Sequence, residues 1–178
     1  MERNEKIISE SNLWRFDLLM ILVLLGTQNN SFHRLLEEIQ EMVDKEIIKD
    51  KVVVQAGYTQ FSSKNMQIFD FIPLEKMSEL QEQASLIITH GGVGSIISPI
   101  TKGKKVIAVP RLHKYSEHVN DHQKEIIKTF NDNGFIIGIE NVEDLEEAFR
   151  KSQYFKPQKY ESNTQNIIKI VQDFIDND

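Results

Sequence analysis

The chain has 178 residues, no cysteine, 40% hydrophobic and 27% charged residues, and a formal net charge of −6. That length suits one domain with a sizeable core. The acidic balance speaks against non-specific nucleic-acid binding, and the missing cysteines exclude disulfides, thiolate metal sites and a cysteine nucleophile.

Residues 1–17 carry mixed charges and no signal-peptide pattern. Residues 1–19 read as an N-terminal extension ahead of a domain over 20–178, with Met20 as the alternative start. The longest apolar run, Leu18 to Leu25, has eight residues, against the about 20 that a membrane helix needs. Its Met20–Leu25 part reads as a strand buried on both faces, followed by the polar loop Gly26-Thr27-Gln28-Asn29-Asn30. Phe32 to Ile48 places Phe32, Leu35, Leu36, Ile39, Val43 and Ile47 at helical spacing. Val52–Ala56 and Gln67–Ile72 are predicted strands, stopped by Gly57 and Pro73, and Leu74 to Gln83 a short helix. The strand Leu86–Thr89 leads into His90-Gly91-Gly92-Val93-Gly94-Ser95, and a helix through Ile96–Thr101 ends at Lys102-Gly103-Lys104. Val106–Val109 is a strand stopped by Pro110. An open polar loop, Arg111 to Ser116, precedes a helix with Val119, Ile126, Ile127 and Phe130 on one face. Phe135–Ile139 is the last strand, Asn141 caps a short helix, and a final amphipathic helix carries Ile167, Ile168, Val171, Phe174 and Ile175. Strands alternating with helices imply an α/β fold, a Rossmann-like parallel sheet with helices on both faces. Ligands in such sheets sit beyond the strands' carboxyl ends, so Gly26–Asn30, His90–Ser95 and Arg111–Gln123 converge on one crevice.

Three stretches carry candidate chemistry. Glycines at 91, 92 and 94 let a backbone approach a ligand closely. The helix N-terminus behind them offers free N–H groups and a positive dipole end to an anion. The plainer reading is a tight turn with Ser95 as N-cap. Neither the Gly-Lys-Ser/Thr of a P-loop nor the third glycine of a dinucleotide fingerprint is present. Glu117-His118 with Asn120-Asp121-His122-Gln123 supplies the donors and acceptors that sugar hydroxyls need. Alternatively Asn120 and Gln123 form a capping box. Gly26-Thr27-Gln28 faces phosphate or acceptor, or is an ordinary turn. His113, His118 and His122 form no recognised metal signature, and the triplet Asp176-Asn177-Asp178 sits at the terminus, where order is rare. Together the stretches suggest a nucleotide-sugar site.

In this order the segments Met20–Gln28, Phe32–Leu36, Ile88–Ser95, Gly103-Lys104, Val109-Pro110-Arg111 and Glu117–Gln123 resemble the C-terminal, donor-binding domain of family 28 glycosyltransferases. Within that family the chain looks like the single-domain members: the catalytic subunit of the dolichol-linked GlcNAc transferase and its bacterial relatives in capsule and exopolysaccharide synthesis. The resemblance implies the C-terminal half of a GT-B fold over 20–178. It implies inverting transfer of a hexose (galactose, glucose or GlcNAc) from a UDP-sugar to a polyprenyl-diphosphate-linked acceptor, with neither cofactor nor metal. A membrane-anchored partner subunit would bind the acceptor and hold this chain, a cytoplasmic protein, at the membrane's inner face. In that frame Gly91–Ser95 stabilises the leaving diphosphate, and His90 orients the loop or touches phosphate. Gly26, Thr27 and Gln28 approach donor or acceptor. Arg111 or His118 adds positive charge, while Asp121 and Gln123 hold sugar hydroxyls, with Pro110 and His122 beside them. Glu117 and His118 are the local candidates for general base, unless the partner supplies it. Two-domain relatives carry a ribose-binding Glu eight residues after the loop His; here Ser98, followed by Pro99, stands there, a weaker partner for a hydroxyl. The competing reading is a non-catalytic accessory subunit that stabilises a partner transferase.

Overall fold

The computed structural model describes residues 19–161. Six strands follow the apolar runs: β1 (Met20–Leu24), β2 (Lys51–Gln55), β3 (Met66–Phe69), β4 (Leu86–His90), β5 (Val106–Val109) and β6 (Ile137–Gly138). All pair in parallel, in the order β3-β2-β1-β4-β5-β6. The helices between and after them are α1 (His33–Asp44), α2 (Leu74–Gln83), α3 (Val93–Thr101), α4 (Gln123–Asp132) and α5 (Leu145–Ser152).

β1 shows why its sequence has no polar position. All five residues are buried. Ile21 and Val23 face a layer built with Leu35, Leu36 and Ile39 of α1 and Leu145, Ala148 and Phe149 of α5. Met20, Leu22 and Leu24 face the other layer, with Leu80 of α2, Ile96 and Ile100 of α3, and Ile127 of α4. A central parallel strand is covered on both sides, so both of its alternating sets must be apolar.

The stretch after α3 ties both layers together. Gly103 turns the chain at φ +70°. The Lys104 ammonium then donates to the carbonyls of Glu82 and Ala84 at the end of α2. The Lys105 ammonium donates to those of Ser152 and Gln153 at the end of α5, at 2.8 and 3.1 Å. Each cation meets the last carbonyls of a helix, where the dipole favours positive charge.

Several expected boundaries move. α1 stops at Asp44 because Glu46 takes a left-handed backbone, φ +56°; Ile47 and Ile48 still pack on the core from the turn beyond. β3 ends at Phe69, short of Ile72. β6 has two residues where Phe135–Ile139 was expected: it is an edge strand whose pairing to β5 spans only Ile137 and Gly138. α3 begins at Val93 with Gly92 at its N-cap, so Ser95 lies in the first turn and caps nothing. α4 begins at Gln123, which leaves Val119 outside it and 78% exposed. Asn141 stands at the N-cap of a 3-10 turn, Val142–Asp144, without a side-chain capping bond. The expected helix over 167–175 lies outside the described residues.

Strand order reverses between β1 and β4, so the loops after these neighbours diverge and open a crevice at the carboxyl edge.

Candidate functional site

That crevice is a cavity of about 630 Å³. One wall is Gly26, Thr27 and Gln28 after β1; the floor and opposite wall are His90 to Ser95 and Ser98; His122 and Gln123 close one side. Twelve of the residues expected from sequence therefore meet here. The first intrahelical hydrogen bond of α3 runs from Ile96 N–H to Gly92 O at 3.1 Å, and no side chain caps the helix. The amides of Val93, Gly94 and Ser95 are left at the cavity, with the positive end of the helix behind them, an arrangement suited to a diphosphate.

His90 is a spacer between the two loops. A Cβ on Gly26, which sits at φ +81°, would lie 2.6 Å from His90 Cε1, and one on Gly92 would lie 2.4 Å from His90 Nε2. Glycine is required at both for the ring to fit. His90 Nδ1 lies 3.3 Å from the Leu24 carbonyl oxygen, a contact that is a hydrogen bond when Nδ1 carries the proton. Burial, reinforced by the charge of Arg111 and opposed by that carbonyl, lowers the imidazole to about 4. His90 is thus neutral at pH 7, and Nε2 is an acceptor; it brings no positive charge to a phosphate.

Gln123 is buried, and its Oε1 accepts two backbone N–H groups, from Gly91 at 3.2 Å and Arg111 at 3.0 Å. Two donors aimed at one atom fix the orientation of the amide, so a ligand meets its NH₂. No capping box forms: Asn120 Oδ1 instead faces His122 Nδ1 at 2.9 Å.

The remaining expected residues do not line the cavity. Asp121 Oδ1 accepts the His113 N–H at 2.7 Å. Pro110 lines a separate, smaller cavity beside α4 and β6, and Arg111 lines neither. Arg111 and Leu112 are each 1% exposed, whereas His113 to Ser116 are exposed, so the open part of the expected loop begins only after Leu112. One Arg111 amino group donates to the Leu25 carbonyl, its Nε has no partner, and its guanidinium lies 5.6 Å from the Phe32 ring. Burial lowers its pKa, and Glu117 raises it in part. Glu117 is buried, with both oxygens engaged by Arg34 at 2.6 and 2.9 Å. In this arrangement it is an ion-pair partner rather than a free base. His118 is buried, with Nδ1 3.1 Å from the Asn120 carbonyl oxygen. Among the described residues no group of three or more His, Asp or Glu is placed to hold a metal, and no helix is long and apolar enough to cross a membrane.

Sequence reasoning missed the far end of the cavity. Gln55, at the carboxyl end of β2, follows from the strand-end rule and was overlooked. Leu74, Met77, Ser78 and Gln81 of α2, Lys102 after α3, and Ile126 of α4 also line it. Gln81 Oε1 accepts the Ser98 hydroxyl at 2.8 Å, and Lys102 Nζ donates to Ser78 Oγ at 2.6 Å. Only the docking of α2 beside α3 brings these four together, and no local spacing announces it.

A six-stranded parallel sheet with helices, and a helix N-terminus at its switch point, has the Rossmann-like fold of the C-terminal half of GT-B glycosyltransferases. The family model "Glycosyltransferase family 28 C-terminal domain" matches residues 20–177, and the chain belongs to that family. Solved structures of similar fold include a glycotransferase of kitacinnamycin (19% identity, 82% of this chain and 38% of that one, TM-score 0.57). Os79 from O. sativa, solved with UDP, is another (17% identity, 76% and 32%, TM-score 0.57). The solution structure of ALG13 is covered nearly end to end (18% identity, 83% and 92%, TM-score 0.54). The chain thus spans 38% of the kitacinnamycin enzyme and 32% of Os79. No curated protein sequence matches it.

Proposed function

We propose that this chain is the donor-binding subunit of an inverting glycosyltransferase. It takes a UDP-sugar and transfers its hexose to a polyprenyl-diphosphate-linked acceptor, in capsule or exopolysaccharide synthesis, with a membrane-anchored partner that binds the acceptor. The observation that carries the reading is the cavity in which three uncapped amides of α3 face the Gly26–Gln28 loop. The family match over residues 20–177 supports the glycosyltransferase part of the reading.

In this reading the diphosphate sits on the amides of Val93 to Ser95. Charge building on the departing UDP is then met by fixed dipoles that need no reorganisation and no metal. His122 and the NH₂ of Gln123 hold sugar hydroxyls from one side. Asp121, which does not line the cavity, has its Oδ1 taken by the His113 N–H and keeps its second oxygen for a sugar hydroxyl. The Ser98–Gln81 pair and Lys102 take the nucleoside end. With Glu117 paired to Arg34 and His118 buried, the proton acceptor comes from the partner subunit, and a cytoplasmic position at the membrane's inner face follows from that partnership.

Calorimetric titration of the purified chain with UDP, with and without Mg²⁺, tests the reading. Micromolar binding that ignores the metal is expected. No binding by the chain either alone or with its partner would instead leave the accessory-subunit reading.

A further inference from the structure

Arg34 stands in the first turn of α1 and does not line the cavity. Its Nε donates to Glu117 Oε1 at 2.6 Å, and its Nη2 donates to Glu117 Oε2 and to the Pro110 carbonyl, both at 2.9 Å. Glu117 Oε2 also accepts the Leu112 N–H at 2.9 Å. The Tyr115 ring covers the guanidinium, with its centroid 4.7 Å from Cζ. The side chains of the pair are 16% and 4% exposed. The backbone is thereby held at Pro110 and at Leu112, on both sides of Arg111. The Arg111 N–H between them goes to Gln123 Oε1, the oxygen that also accepts the Gly91 N–H.

A buried ion pair is a poor way to add stability, because desolvation offsets most of the attraction. This one does something a pair of apolar side chains cannot: a planar fork fixes two oxygens and a carbonyl at once. We propose that Arg34 is a positioning residue for the anion cradle. Through Glu117 and the Pro110 carbonyl it sets residues 110–112, and through the Arg111 amide and Gln123 it sets Gly91, the first glycine of the loop. Its consequence for ligand affinity rests on the donor-site reading above; the mechanical link does not.

The test uses the full chain, as wild type and as Arg34→Lys, which keeps the charge and loses the fork. Site-resolved amide hydrogen exchange by NMR is measured alongside UDP titration. The Gly91 and Arg111 amides are expected to exchange about tenfold faster or more in the variant, while amides of β2 and α5 stay within about twofold. UDP binding weakens by about tenfold. Unchanged protection at Gly91 and Arg111 would overturn the proposal. So would an equal loss at every amide, which marks a pair that only stabilises. Glu117→Gln, which keeps the shape and removes the charge, is expected to give the same local pattern, and it carries the test should Arg34→Lys not fold. If the wild-type chain binds no UDP alone or with its partner, the donor reading fails, and the exchange pattern still decides the role of Arg34.

Discussion

The glycines at 91 and 94 look interchangeable in sequence and are opposite in the fold. A Cβ on Gly91 would lie 2.7 Å from Gln123 Cβ, 3.0 Å from Ile127 Cδ1 and 3.1 Å from the Gln123 carbonyl oxygen, whereas one on Gly94 meets nothing within 4 Å. The first two neighbours of Gly91 belong to α4, and the third is its backbone, so the helix itself must retreat. Overpacking of this kind costs about 1–3 kcal/mol. For a domain of this size that lowers the melting temperature by about 3–10 °C. Gly94 lies within α3 at helical φ, where alanine is the better helix former by about 1 kcal/mol, so Gly94→Ala should melt at or above the wild type. Thermal unfolding followed by circular dichroism on both variants decides it. A Gly91→Ala protein melting within about 1 °C of wild type, or a Gly94→Ala protein falling as far as Gly91→Ala, refutes the packing argument.

Three further outcomes are expected. The lowered His90 pKa of about 4, against the ordinary 6.5 of a solvent-exposed imidazole, makes the unfolded chain bind more protons between those values. Its contribution is present above about pH 6.5 and lost as pH falls toward 4, by roughly 3 kcal/mol in all. Urea midpoints measured from pH 7 to pH 4 should drop less steeply for His90→Asn. Gln123→Ala removes the acceptor shared by two backbone amides, and urea unfolding should show a loss of about 2 kcal/mol or more. Arg34→Ala strands a buried carboxylate and should cost about 3–5 kcal/mol in the same assay, while Arg111→Met, which leaves the Glu117 pair intact, should cost no more than about 1–2 kcal/mol.

The sheet was legible because β1, β4 and β5 are covered on both faces and so appear as apolar runs bounded by glycine or proline. Ends were less legible where one backbone angle decided them, as at Glu46, or where an edge strand keeps only two residues, as at β6. The walls of the cavity followed from the rule that ligands sit at carboxyl edges, since Gly26–Gln28 and His90–Ser95 directly continue strands. What composition cannot tell is direction. Glu117, Arg111 and His118 are polar residues next to a site, and sequence alone does not say that their polar atoms turn inward onto Arg34, Leu25 and Asn120. The same blindness hid Gln81 and Ser78, polar residues on a helix face that becomes a wall only once α2 has docked.

Lys104 and Lys105 are neighbours in the chain, yet each fastens the end of a helix on a different side of the sheet. Two covers of the sandwich are thus buttoned by one dipeptide through ammonium groups alone. Acylation of these two amines would undo both buttons at once, so a modification invisible to the core and remote from the cavity would reach α2, and with it the wall that Gln81 and Ser78 form.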